Sequence, residues 1–254
     1  MKNLRARLGF GFSLLAFFVL PAAAAPAAPK ITQPGPNAPL IAQMVARILE
    51  QEHYEHKPLD AAASRDILKL YVQDYDPDRM FFERADIAEF KARFGDDLAP
   101  RLKEGDVAPA YFIFNRFMRR LRERVDFVHE VLRAKEAKTP LSEKPSGSVL
   151  AAMRQVLAVS TAAASGASPN AIFDFSKNES VILDREKSPW LADDQTAREV
   201  WRKRLKDDVL EERLNKVKPA DQVKDVIQRY DRLLDNYQEF DSTDILQAYL
   251  TAMA

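Results

Sequence analysis

The chain has 254 residues, 46% apolar and 30% charged, with 38 basic and 38 acidic side chains, 7 glycines and no cysteine. Balanced charge removes any global electrostatic reason to bind nucleic acid or an anionic membrane. The absence of cysteine excludes disulfides, thiol catalysis and acylation at an N-terminal cysteine.

Scarce glycine, with apolar residues recurring three and four apart, argues against an all-β or doubly wound fold. The pattern predicts an all-α, irregular multi-helix domain with one long helix, a mobile insertion and a short extended strap. Residues 1–24 have the layout of a secretory signal peptide. Lys2, Arg5 and Arg7 precede an apolar stretch from Leu8 to Leu20, and Pro21 and an alanine run follow, with Ala22 and Ala24 suited to cleavage after Ala24. The stretch is shorter than the ~20 residues of a bilayer span, so the expectation is an exported chain with no stable membrane span once the leader is removed. An uncleaved anchor is the alternative. Residues 25–37 read as a flexible N-terminus, and the helical domain is expected over 38–254.

Asn37 is placed to cap the first helix, whose inner face is expected to be Leu40, Ile41, Met44, Val45, Ile48 and Leu49. A second helix opens at Pro58-Leu59-Asp60, presents Leu59, Ala63, Ile67, Leu70 and Tyr71, and stops before Pro77. Met80, Phe81 and Phe82 form an apolar knot. A third helix starts at Asp86 with Ile87, Phe90 and Phe94, and Gly95 stops it. Leu98 and Leu102 mark a short helical turn closed by Gly105. The longest helix opens at Asp106 and Pro109 and runs to about Lys138, with a seam of Phe114, Met118, Leu121, Val125, Val128 and Leu132.

Residues 138–171 change to Ser, Ala, Pro and Gly and read as a mobile insertion holding one marginal amphipathic segment around Val149–Leu157. Phe173 to Leu183 is expected to be an ordered extended strap, and Trp190 anchors the start of the next helix. That helix, Asp194 to about Lys216, is expected to turn Val200, Trp201, Leu205, Val209, Leu210 and Leu214 inward. Pro219 opens another, with Val223, Val226, Ile227, Tyr230, Leu233, Leu234 and Tyr237. Asp241 or Ser242 caps a final helix whose stripe of Ile245, Leu246, Tyr249, Leu250 and Met253 is still apolar at Ala254. The expectation is a truncated product or excerpt in which part of that stripe is uncovered and self-associates.

Few side chains suggest chemistry. His53 and His56 lie three apart, whereas the helical zinc-protease motif places its histidines four apart beside a glutamate; a solvated helix end is the better reading. His129 stands alone. Arg116, Arg119, Arg120, Arg122 and Arg124 crowd one helix, a stripe suited to phosphate or an acidic partner. Glu123, Asp126 and Glu130 interleave with it, and a solvated, ion-paired face is favoured. Trp190, Trp201, Phe173, Phe175, Tyr230 and Tyr237 read as core packing rather than a ligand cage. No glycine-rich phosphate loop, nucleophile elbow or carboxylate pair is recognisable. No catalytic, cofactor-binding or metal-binding residue is therefore assigned, and no cofactor.

Three runs together carry a resemblance: Leu59-Asp60 through Tyr71 to Asp76-Pro77-Asp78-Arg79-Met80-Phe81-Phe82 and Ala85–Phe90; Gly105-Asp106-Val107 with Ala110-Tyr111 and Ile113–Arg116; and Phe173-Asp174-Phe175 with Leu183–Trp190 and Trp201. From about Ala42 to Ala254 the chain resembles the N-terminal helical domain of bacterial tail-specific proteases, also called carboxy-terminal processing peptidases. The resemblance implies a periplasmic location and a PDZ and a Ser/Lys peptidase domain further along such proteins, where the dyad lies. It also implies a non-catalytic role that frames the path of protein substrates or docks periplasmic adaptor proteins. The alternatives are a free-standing exported helical binding or adaptor protein and an enzyme with an unrecognised site.

Overall fold

The computed structural model describes residues 32–51, 58–133 and 173–253. The leader, the His53–His56 pair and the 138–171 insertion lie outside the described residues. Of the described residues 69% are helical, in eight helices and no strand. The fold is all-α.

The helices are α1 (Ala38–Gln51), α2 (Ala61–Tyr75), α3 (Arg84–Phe94), α4 (Leu98–Lys103), α5 (Ala108–Arg133), α6 (Asp194–Leu214), α7 (Pro219–Gln238) and α8 (Ser242–Thr251). Side-chain caps set the starts of four of them. Asp60 accepts hydrogen bonds from the Ala62 and Ala63 N–H groups at the start of α2, and Asp193 accepts from Thr196 at the start of α6. Asp241 with Asp244 at α8, and Glu83 with Asp86 at α3, form reciprocal capping boxes. Helix α3 thus begins at Arg84, two residues before the predicted start, and Asp86 is the reciprocal partner inside the first turn. Gly105 takes φ +81°, and a β-carbon there would come within 2.9 Å of the Pro39 carbonyl oxygen. Glycine is needed both for the left-handed turn and for the close passage of α1.

Helix α5 is the axis. Its whole predicted seam is buried, and α2, α3, α6, α7 and α8 pack around it. Helix α1 lies apart from α5, on α4 and α8. Phe81, Phe117, Tyr237 and Trp201 join the centre through edge-to-face and tilted ring contacts at 4.8–5.5 Å, and the Trp201 indole N–H donates to the Met80 carbonyl at 2.8 Å. Two residues before Phe117 on α5, the Asn115 side chain pairs with both backbone groups of Thr32. The strap, residues 173–193, has no regular structure beyond one parallel bridge between Glu83 and Leu191.

Four sequence expectations are corrected here. Helix α1 packs through Ala38, Ala42 and Ala46, while Leu40, Met44 and Ile48 are 59%, 56% and 53% exposed and Ile41 is also exposed. The alanine row lets α1 approach closely, so the larger side chains face away. Leu70 of α2 and Leu210 and Leu214 of α6 are exposed, as are Ile182 and Leu183 of the strap. The strap is seated at Phe173, as expected, and again beyond its predicted end, at Arg185 and Leu191. Lastly, the stripe on α8 is covered: Ile245, Leu246 and Tyr249 are buried against α1, α2 and α5. The large uncovered apolar row belongs to α1, the first helix, and not to the last.

This placement has a measurable consequence. Leu246→Ala should lower the unfolding free energy by about 2–3 kcal/mol, while Ile41→Ala should stay within about 0.5 kcal/mol. Urea unfolding of the two variants checks it, and equal losses would contradict the orientations of α1 and α8.

Candidate functional site

The arginine row of α5 does not meet solvent as a face. Arg124 is 1% exposed, the largest fully buried side chain, and bridges Glu83 at 3.1 Å and Asp194 at 3.0 Å. Arg120 donates to Asp86 at 2.7 and 3.1 Å, to Glu83 at 3.0 Å and to Glu123 at 2.9 Å. Arg116 grips Asp86 and, at 2.7 Å, Glu89. Arg119 is largely exposed, 4.0 Å from Asp86 and 3.7 Å from Glu123, and Arg122 takes no part in the network. The helix-spaced pairing with Glu123 is present at Arg119 and Arg120, but the expectation of a solvated face is corrected for Arg116, Arg120 and Arg124. Most of its partners come from α3, its cap and α6, and its inner members are buried, so it binds helices together and is not free for phosphate.

The predicted aromatic set is divided. Trp201 and Tyr230 are core and half-buried Tyr237 packs against it, with the Tyr230 hydroxyl donating to buried Asp208 at 2.5 Å. Phe173 and Phe175 contact each other. Trp190 lies at the surface beside Phe82, under the guanidinium of Arg79 at 5.1 Å. His129 pairs with Asp231 of α7 at 2.6 Å, so it ties two helices. Among the described residues no group of three or more His, Asp or Glu side chains is placed to hold a metal ion. None of the described helices is long and apolar enough to cross a membrane.

Two concavities stand out that sequence reading did not single out. A groove of about 800 Å³ runs between α2 and α3, based on Leu68, Val72, Ile87 and Phe90 and bordered by Trp190. Cations and acids from both helices line it. A smaller cavity of about 300 Å³ lies under the strap between Val181, Leu183, Tyr75, Trp201 and Tyr230. No sequence signal marks the groove, because its walls come from two helices and a strap residue nearly a hundred positions further on.

The Asp76–Phe82 turn and the strap form one unit beside it. Asp76 is buried and accepts from the N–H groups of Met80, Phe81 and Phe82 at 2.6, 2.9 and 2.8 Å. Arg79, at φ +52°, donates to the Ser188 carbonyl at 2.6 Å, and buried Arg185 reaches the Pro189 carbonyl at 3.3 Å. Burial pushes the Asp76 carboxyl up to about 6, against the pull of its three N–H donors.

These are the segments that carried the resemblance, and comparison with known proteins agrees. The family profile of the tail specific protease N-terminal domain matches residues 45–146 and 147–254. The chain belongs to this family. A tail-specific protease of Haemophilus influenzae is 24% identical over 206 residues, covering 81% of this chain and 24% of that protein. The chain thus spans about a quarter of the length of the curated relative it matches. In this member of the tail-specific protease N-terminal domain family, the Asp76–Phe82 turn, the arginine network and the docked strap are the scaffold. Among the described residues, the α2–α3 groove and the outward row of α1 face solvent.

Proposed function

We propose that this chain acts as the non-catalytic N-terminal domain of a periplasmic tail-specific serine protease, framing access of protein substrates and docking partners, with peptide cleavage carried out by a Ser/Lys domain elsewhere in such a protein. The observation that carries the reading is the outward row of Leu40, Ile41, Met44 and Ile48 on a helix whose opposite side is already packed. A contiguous apolar row of this kind marks an interface. In the Haemophilus influenzae relative, about three quarters of the polypeptide lies outside the matched span, and that polypeptide is the occupant proposed for the row.

The test is a chimera in which this chain replaces the matching span of the Haemophilus influenzae protease. The chimera should degrade an unfolded protein substrate, and the chain alone should not. Ile41→Glu with Met44→Glu should abolish most of the chimera's cleavage while leaving the melting temperature of the isolated chain unchanged, since both side chains are exposed. Cleavage by the chain alone that disappears on replacing one serine would overturn the proposal. So would a chimera indifferent to the α1 substitutions.

A further inference from the structure

The groove between α2 and α3 is of ligand-site size, about 800 Å³ against the ~300–1,000 Å³ usual for such sites. Its apolar base is flanked by an uneven set of charges: Arg65, Lys69, Arg79 and Lys91 against Asp66 and Asp96. Two of the cations are already engaged. Arg65 pairs with Asp96 at 2.5 Å, and Arg79 is held by the Ser188 carbonyl and the Trp190 ring. Lys69 on α2 and Lys91 on α3 are exposed and have no carboxylate partner among the described residues. One unpaired ammonium therefore stands on each wall, with an apolar strip between.

We propose that this groove binds an acidic polypeptide segment, which lays an apolar side chain against the half-buried Trp190 ring and sets carboxylates against Lys69 and Lys91. Charge complementarity selects the occupant. A polyphosphate backbone calls for a continuous run of cations, and Asp66 interrupts this one. A peptide alternating apolar and acidic side chains meets both the strip and the two separated ammonium groups. The proposal deepens, and rests on, the reading of the domain as a docking body; it is tested without any protease, so the groove and the chimera can fail independently.

The experiment is fluorescence anisotropy of the full chain with three labelled 12-residue peptides: alternating Leu and Glu, the same with Gln for Glu, and the same with Ser for Leu. The Leu/Glu peptide should bind saturably and about tenfold tighter than either of the others, with affinity falling as salt rises. Lys69→Glu with Lys91→Glu, whose circular dichroism should match the parent because both sites are exposed, should weaken it about tenfold. Absence of Leu/Glu binding overturns the proposal, as does equal binding of the Gln peptide, which removes the role of charge. Equal binding of the Ser peptide would reduce the site to simple ion exchange, and an unaffected double variant would place binding elsewhere; each of these also overturns it.

Discussion

Replacing Asp86 by alanine is expected to cost about 4 kcal/mol of stability at neutral pH. The side chain is 2% exposed and meets Arg116 and Arg120 of α5 as well as the N–H of Glu83 at 3.0 Å. Its removal takes away one half of the α3 capping box and leaves two poorly hydrated guanidinium groups short of a partner. Asp86→Asn, which retains the cap acceptor, should lose less. The pH dependence gives a second readout. Burial would raise the Asp86 carboxyl, but Arg120, the Glu83 N–H and Arg116 together hold it below its ordinary 3.8. A carboxyl depressed in the folded state contributes fully above its unfolded value and loses that contribution as pH falls through the folded one. The gap between the parent and Asp86→Ala should therefore be constant from pH 7 to about 5 and narrow below about 4. Urea unfolding at these pH values measures it, and a gap that widens in acid would contradict the network.

Asp76→Ala should cost about 3 kcal/mol at pH 7, with the opposite dependence on acidity. Three N–H groups of the Met80–Phe82 turn lose their acceptor, and the turn that seats Trp201 and the strap loosens. Here the carboxyl is raised, from 3.8 to about 6, because it is buried. As pH falls from 7, the folded chain takes up this proton before the unfolded chain does, so the parent gains stability down toward pH 4 and the gap to Asp76→Ala grows. Between pH 7 and 5 the added difference should be about 1 kcal/mol. A gap that instead shrinks over this range would mean that the three donors and the nearby Arg185 hold the anion more firmly than burial disfavours it. Two aspartates ten residues apart thus titrate in opposite senses. One is surrounded by cations and the other mainly by neutral amides.

Much of this was legible in the sequence because its causes are local. Helix ends follow from Asp60, Pro77, Pro219 and Asp241, each acting on backbone groups within a few residues. The buried seam of α5 follows from its three- and four-residue spacing, and the family from runs whose residues form the Asp76 turn and the strap. Only the tertiary structure decided the rest. Periodicity reports that α1 has two unlike faces, yet it favoured Leu40, Met44 and Ile48 for the inside, because transfer energy ranks large side chains above alanine. Close approach to α4 and α8 selected Ala38, Ala42 and Ala46 instead. The covering of α8 depends on α1, about two hundred positions away. The arginines of α5 look solvated when judged against neighbours on their own helix, since most of their carboxylate partners arrive from α3, its cap and α6. The groove exists only where α2, α3 and Trp190 converge. A sequence records what each segment does to itself. Which surface meets which, and which is left open, is set by contacts between segments far apart in the chain.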